Sequence, residues 1–156
     1  MPLLSPTDQQ KLREWFAGMI RPVRLLFFTQ TIGCETCAET QQILAELPPL
    51  SDRVSIEEVN LVLEGDRARQ YGVDRAPAVV ILYQETSQPS EGGNTNIPWV
   101  DSRIRFLGAP AGYEFVSLAQ AVLLAGGGPS TLSEGSRQRL AAVDRPVAMQ
   151  VFTTPT

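Results

Sequence analysis

The segment Val23-Arg24-Leu25-Leu26-Phe27-Phe28 is short, almost wholly apolar and bounded by turn-forming residues. After the loop Thr29–Gly33 it is followed by Cys34-Glu35-Thr36-Cys37. A run of that length and character reads as a buried strand. Beyond it, Cys37, Gln41, Leu44 and Leu47 recur along one side, with Ala38 and Ala45 beside them, which predicts a helix opened by Cys34 and stopped by Pro48-Pro49. Val54–Asn60 reads as a second strand, and a strand–helix–strand step favours a parallel pair with a right-handed crossover.

Around this centre the chain predicts further elements. Ser5-Pro6-Thr7-Asp8 opens a first helix, with Ser5 as N-cap, Pro6 at the first helical position and Asp8 answering the cap. Leu12, Trp15, Phe16 and Met19 give that helix one apolar face, and Arg21-Pro22 ends it. A short helix near Asp66–Tyr71 precedes Pro77 and the strand Ala78–Tyr83. Gln84–Trp99, rich in Ser, Gly, Asn and Pro, reads as a mobile surface loop before a half-buried strand Arg103–Leu107. A final helix, Tyr113–Ala125, places Phe115, Leu118 and Val122 on the core, and Gly126-Gly127-Gly128-Pro129 reads as a linker. The helix-free connection between the last two strands favours an antiparallel pair. The sum is a small mixed sheet covered by helices.

The opening of the chain has an echo. Leu4-Ser5 with Leu12 matches Leu132-Ser133 with Leu140, and Arg21-Pro22-Val23 and Phe28-Thr29 recur 124 positions later as Arg145-Pro146-Val147 and Phe152-Thr153. Residues 1–128 therefore read as one complete unit, and residues 129–156 as a linker with the first helix and strand of a truncated second unit. Such a lone helix–strand pair is expected to dock on the complete unit, to pair with another chain through its strand edge, or to be poorly ordered.

Composition removes several chemistries. There is no histidine, so no imidazole-activated nucleophile is available, and two cysteines fall short of the four ligands a zinc site normally wants. No metal and no cofactor are expected. The net charge of −4 leaves no basic surplus for a nucleic acid partner. No stretch is long and apolar enough for a membrane-spanning helix, and Met1–Lys11 is polar without a basic-then-apolar leader. A cytoplasmic protein is expected, a compartment in which Cys-x-x-Cys is more often catalytic or metal-binding than a structural disulfide.

A thiol at a helix start has a physical rationale. The first turn has unpaired N–H groups and a partial positive charge, which stabilise a thiolate. Cys34 is thus the expected nucleophile. Cys37, one turn on and facing the interior, is the expected resolving thiol. Glu35 and Glu39 oppose the thiolate, so only modest acidification and a moderate oxidant are expected. Two other readings remain: a non-catalytic scaffold, and a metal bridged between two chains.

Leu25–Gln30, Cys34-Glu35-Thr36-Cys37, Tyr71-Gly72-Val73-Asp74 before Ala76-Pro77-Ala78, and Arg105-Phe106 with Pro110-Ala111-Gly112-Tyr113-Glu114-Phe115 together carry a resemblance. The sequence resembles the protein disulfide oxidoreductases of thermophilic archaea and bacteria, a glutaredoxin-like family built from two thioredoxin-fold units in tandem. The resemblance implies an α/β thioredoxin fold: a mixed four-stranded sheet flanked by helices, with an extra N-terminal helix. It implies a cytoplasmic thiol–disulfide oxidoreductase that exchanges disulfides with proteins through Cys34 and Cys37. A thioredoxin reductase-like electron donor would recycle it, and a homodimer through the C-terminal strand is a further expectation. Pro77 would be cis and lie against the disulfide, turning the Ala76 backbone toward a substrate chain. Two departures from this family stand out: the second unit stops after its first strand, and the Gln84–Trp99 loop is longer than the family needs. Glutathione use and the buried proton relay of thioredoxins are not expected either. The segment Gly108–Gly112 does not match the glutathione-binding stretch of glutaredoxins, and Phe28 occupies the place of the buried aspartate of thioredoxins.

Overall fold

The computed structural model describes residues 3–85 and 97–154. Strand β1 (Val23–Thr29) sends its side chains alternately into two apolar layers: Val23, Leu25 and Phe27 into one, Leu26 and Phe28 into the other. Strand β3 (Ala78–Gln84) does the same, with Val79 and Ile81 on the first side and Ala78, Val80 and Leu82 on the second. Both strands are closed to water on both faces, which is why their sequences run apolar without alternating. Each large side chain so enclosed contributes roughly 1.5–3 kcal/mol.

Strand β2 (Val54–Asn60) lies parallel to β1, with Val23 opposite Val54 and Thr29 opposite Asn60. Strand β4 (Trp99–Leu107) lies antiparallel to β3, which is itself antiparallel to β1. The four-stranded sheet has the order β2-β1-β3-β4. Helices α1 (Pro6–Phe16), α2 (Cys37–Ala45) and α4 (Tyr113–Ala125) cover the first layer through Leu12, Phe16, Leu44, Leu118 and Val122. Helix α3 (Gly65–Gln70) covers the second through Ala68. Among the described residues no helix is long and apolar enough to cross a membrane.

The start of α1 follows the sequence reading: Ser5 Oγ accepts from the Asp8 N–H at 3.1 Å and donates to its carboxylate at 2.6 Å. Its end does not. The helix stops at Phe16, short of Arg21-Pro22. The chain past Met19 is committed elsewhere, since the N–H groups of Ile20 and Arg21 both donate to the Gly126 carbonyl. On α2, Gln41 is exposed and bonds Glu58 rather than facing inward; Thr40 takes the buried position and donates to the Thr36 carbonyl at 2.8 Å. Strand β4 starts at Trp99, four residues before the predicted Arg103. A register shift between Val80 and Leu82, with Arg103 at φ 64°, breaks the side-chain alternation that the prediction relied on. Most of the predicted Gln84–Trp99 loop, residues 86–96, lies outside the described residues.

Gly126–Gly128 is not a loose linker. Gly127, at φ 82°, donates to Leu124, and Gly128 donates to Leu123 at 2.8 Å. These two bonds make the Schellman closure of α4. The Arg21 guanidinium adds a bond to the Ala125 carbonyl at 2.8 Å. Beyond it, α5 (Glu134–Ala141) forms as predicted but buries no residue. Residues 147–153 form no strand, and Val147, Met149, Val151 and Phe152 are exposed. A strand exists only against a partner, and among the described residues none pairs with this segment.

An ionic chain crosses the second face. The Arg24 guanidinium lies 4.2 Å from the Trp99 ring centroid and 3.3 Å from Glu57, which also takes Arg67 at 2.6 Å. The Arg67 hydrogen bond holds the Glu57 carboxyl below its ordinary 4.5, and Arg105 does the same for Asp101 against 3.8. Folded pKa values below the unfolded ones mean stability that is whole above the ordinary carboxyl range and is lost as pH falls through the folded values. Urea midpoints measured between neutrality and about pH 3 are expected to fall on the acid side, and less steeply for Glu57→Gln.

Candidate functional site

The C-terminal ends of β1 and β2, the N-terminal end of β3 and the C-terminal end of β4 share one edge of the sheet: Thr29 pairs with Asn60, and Ala78 with both Phe28 and Leu107. The loops at this edge carry the predicted site. After β1 the chain turns at Gly33, φ 74°, whose carbonyl accepts from the Gln30 side chain at 3.3 Å. Cys34 follows and is joined to Cys37 in a disulfide, Cα to Cα 5.5 Å.

Helix α2 begins at Cys37 rather than Cys34, with Thr36 as N-cap and no side-chain capping bond. Cys34 therefore stands in the turn ahead of the helix. Thr36 lacks an extended cap conformation (φ −107°, ψ 6°), and the first helical bond runs from the Thr40 N–H to the Thr36 carbonyl. The N–H groups of the first turn point toward this end without intrahelical partners, so the positive pole still faces the dithiol. The two sulfurs differ in access: Cys34 is half-buried, whereas Cys37 is 6% exposed and belongs to the first apolar layer. Glu35 and Glu39 flank them, both exposed.

The Ala76–Pro77 peptide is cis. The Pro77 carbonyl accepts from the Gly108 N–H at 2.9 Å, fixing the entry to β3. Among the described residues no hydrogen bond engages the Ala76 N–H or carbonyl. Around this edge stand large exposed apolar side chains, Ile32, Val62, Leu63, Leu107 and Tyr113. Sequence reading missed them as a group, because they come from separate loops and only strand pairing brings them to one end.

No family model matches the chain. The F subunit of the alkyl hydroperoxide reductase of Escherichia coli (strain K12) is 27% identical over 142 residues, which are 91% of this chain and 22% of that protein. Among solved structures, the NTD_N/C domain of the alkylhydroperoxide reductase AhpF from Enterococcus faecalis (V583) matches with a TM-score of 0.72 at 26% identity, over 91% of this chain and 62% of that one. A protein disulfide oxidoreductase from Aeropyrum pernix K1 matches with a TM-score of 0.66 at 22% identity, over 88% and 54%. The chain thus spans about a fifth of the curated relative and under two thirds of these solved chains. The fold is the thioredoxin fold, and the Cys34–Cys37 pair set in it supports thiol–disulfide redox chemistry.

Proposed function

We propose that the chain is a thiol–disulfide oxidoreductase that exchanges disulfides with proteins, Cys34 making first contact and Cys37 resolving. The observation that carries this reading is the unequal access of the two linked sulfurs, one half-buried at the edge and one enclosed. In reduction, the Cys34 thiolate attacks a substrate disulfide and expels one substrate thiolate, which takes up a proton. Cys37 then loses its proton and attacks Cys34, releasing the second substrate thiol and leaving Cys34–Cys37 oxidised. The two electrons return from a dithiol donor, a role we assign to a thioredoxin reductase-like enzyme in a reducing, cytoplasmic setting. The unengaged Ala76 peptide group and the apolar side chains around the edge suit an extended polypeptide better than a small thiol. Residues 129–156 are assigned to the start of a second unit of the same kind; α5 repeats the α1 cap, with Ser133 accepting from the Ser136 N–H as Ser5 does from Asp8.

In an insulin-reduction assay with dithiothreitol, the wild-type protein is expected to accelerate precipitation, and Cys34→Ser to run at the background rate. Equal rates for the two, together with no exchange between Cys34–Cys37 and dithiothreitol, would reject the catalytic reading in favour of a scaffold. The likeness to components of alkyl hydroperoxide reductases favours a second reading of the same chemistry, a carrier passing electrons to one dedicated partner. That reading expects full exchange with dithiothreitol and no acceleration on insulin.

A further inference from the structure

Arg105 is half-buried on β4, and its guanidinium is used on two sides. One side meets the Asp101 carboxylate as a fork, Nη1 at 2.8 Å and Nη2 at 2.7 Å. The other side places Nε at 3.2 Å and Nη2 at 3.1 Å from a single acceptor, the Tyr71 carbonyl. Tyr71 is the C-cap of α3, where carbonyls lack intrahelical partners and a cation is favoured. From Tyr71 the chain passes through buried Val73 and reaches Ala76-Pro77. There the end of β4 acts again, since the Gly108 N–H holds the Pro77 carbonyl. One strand therefore clasps both ends of the segment 72–76, by a side chain at one end and by its backbone exit at the other.

From this double clasp we infer that Arg105 is a positioning residue for exchange: it sets where the free Ala76 peptide group stands at the dithiol's end of the sheet, without touching substrate or sulfur. The inference rests on the protein-substrate reading above. Asp101 orients Arg105, and lysine replaces it only in part, because a single ammonium cannot fork to the carboxylate and hold the carbonyl together. A shift of about an ångström in a substrate-aligning group costs up to about a hundredfold in rate, whereas attack by a small dithiol needs no such alignment.

The test compares wild type, Arg105→Gln, Arg105→Lys and Asp101→Asn. Each is assayed for insulin reduction, for direct reduction of Cys34–Cys37 by dithiothreitol, and for equilibrium potential against a dithiothreitol buffer. Arg105→Gln is expected to lower kcat/KM for insulin about tenfold, mainly through KM, with the dithiothreitol rate and the potential within about twofold of wild type. Arg105→Lys and Asp101→Asn are expected to fall in between; they also serve if Arg105→Gln does not fold. Variants equal to wild type on insulin overturn the inference, and so does a parallel loss on both substrates, which would mark Arg105 as structural only. A wild-type protein that exchanges with dithiothreitol and ignores insulin overturns the protein-substrate reading itself, and the inference with it.

Discussion

Cys37→Ser is expected to turn the protein from a turnover catalyst into a trap. Cys34 would still attack a substrate disulfide, but the chain holds no third thiol to resolve the product. In the native protein the resolving sulfur is linked to Cys34 across one turn, Cα to Cα 5.5 Å, so resolution is intramolecular and outruns any thiol from solution. Without it, turnover on insulin is expected to fall by about 10³-fold. A mixed disulfide should accumulate in proportion to protein, visible on a non-reducing gel and as an added mass that dithiothreitol removes. Cys34→Ser should not do this, since Cys37 lies within the apolar layer and a folded substrate cannot approach it. Equal trapping by the two single variants would show that burial does not separate their roles.

The second large effect is expected far from the sulfurs. A Cβ on Gly128 would fall 2.8 Å from the Leu123 carbonyl and closer still to the Leu123 side chain, at the bond that closes α4. One on Gly127 would meet Ile20 Cγ1 at 2.6 Å in a residue already at φ 82°. Backbone cannot move aside as a flexible side chain does, and the same turn receives the N–H groups of Ile20 and Arg21. Gly127→Ala and Gly128→Ala are each expected to cost about 2–3 kcal/mol and to lower the melting midpoint by roughly 5–10 °C. Gly135→Ala, where a Cβ meets nothing, should leave the midpoint unchanged or slightly raised. Calorimetry on the three variants decides it.

Both results bear on what could be read from residues alone. Strands with both faces buried announced themselves as unbroken apolar runs, so β1 and β3 were each placed to within one residue; β2 and α4 were placed to the residue. The Ser5 cap was legible because it is a local hydrogen bond. What local reading could not supply was long-range. It read Gly126–Gly128 as a linker because composition shows what a glycine permits, not what packs against it. It carried α1 to Arg21 because nothing nearby reveals that the following backbone is held by a carbonyl more than a hundred residues away. It began α2 at Cys34, and the structure leaves that residue outside the helix. The bonds from Arg105 to the Tyr71 carbonyl, 34 positions apart, left only an arginine in a half-buried strand as their local trace.

The pairing of Gln84 with Trp99 marks where β3 and β4 are joined, at the opposite end of the sheet from Ala78 and Leu107. Seven residues of strand, roughly 20 Å, separate that junction from the reactive edge. The Gln84–Trp99 end of the sheet is therefore a suitable place to couple the protein to a bead, an electrode or a fluorophore. Attached there, the molecule would face its medium with the sulfurs outward, and its exchange kinetics could be followed on a surface as they run in solution.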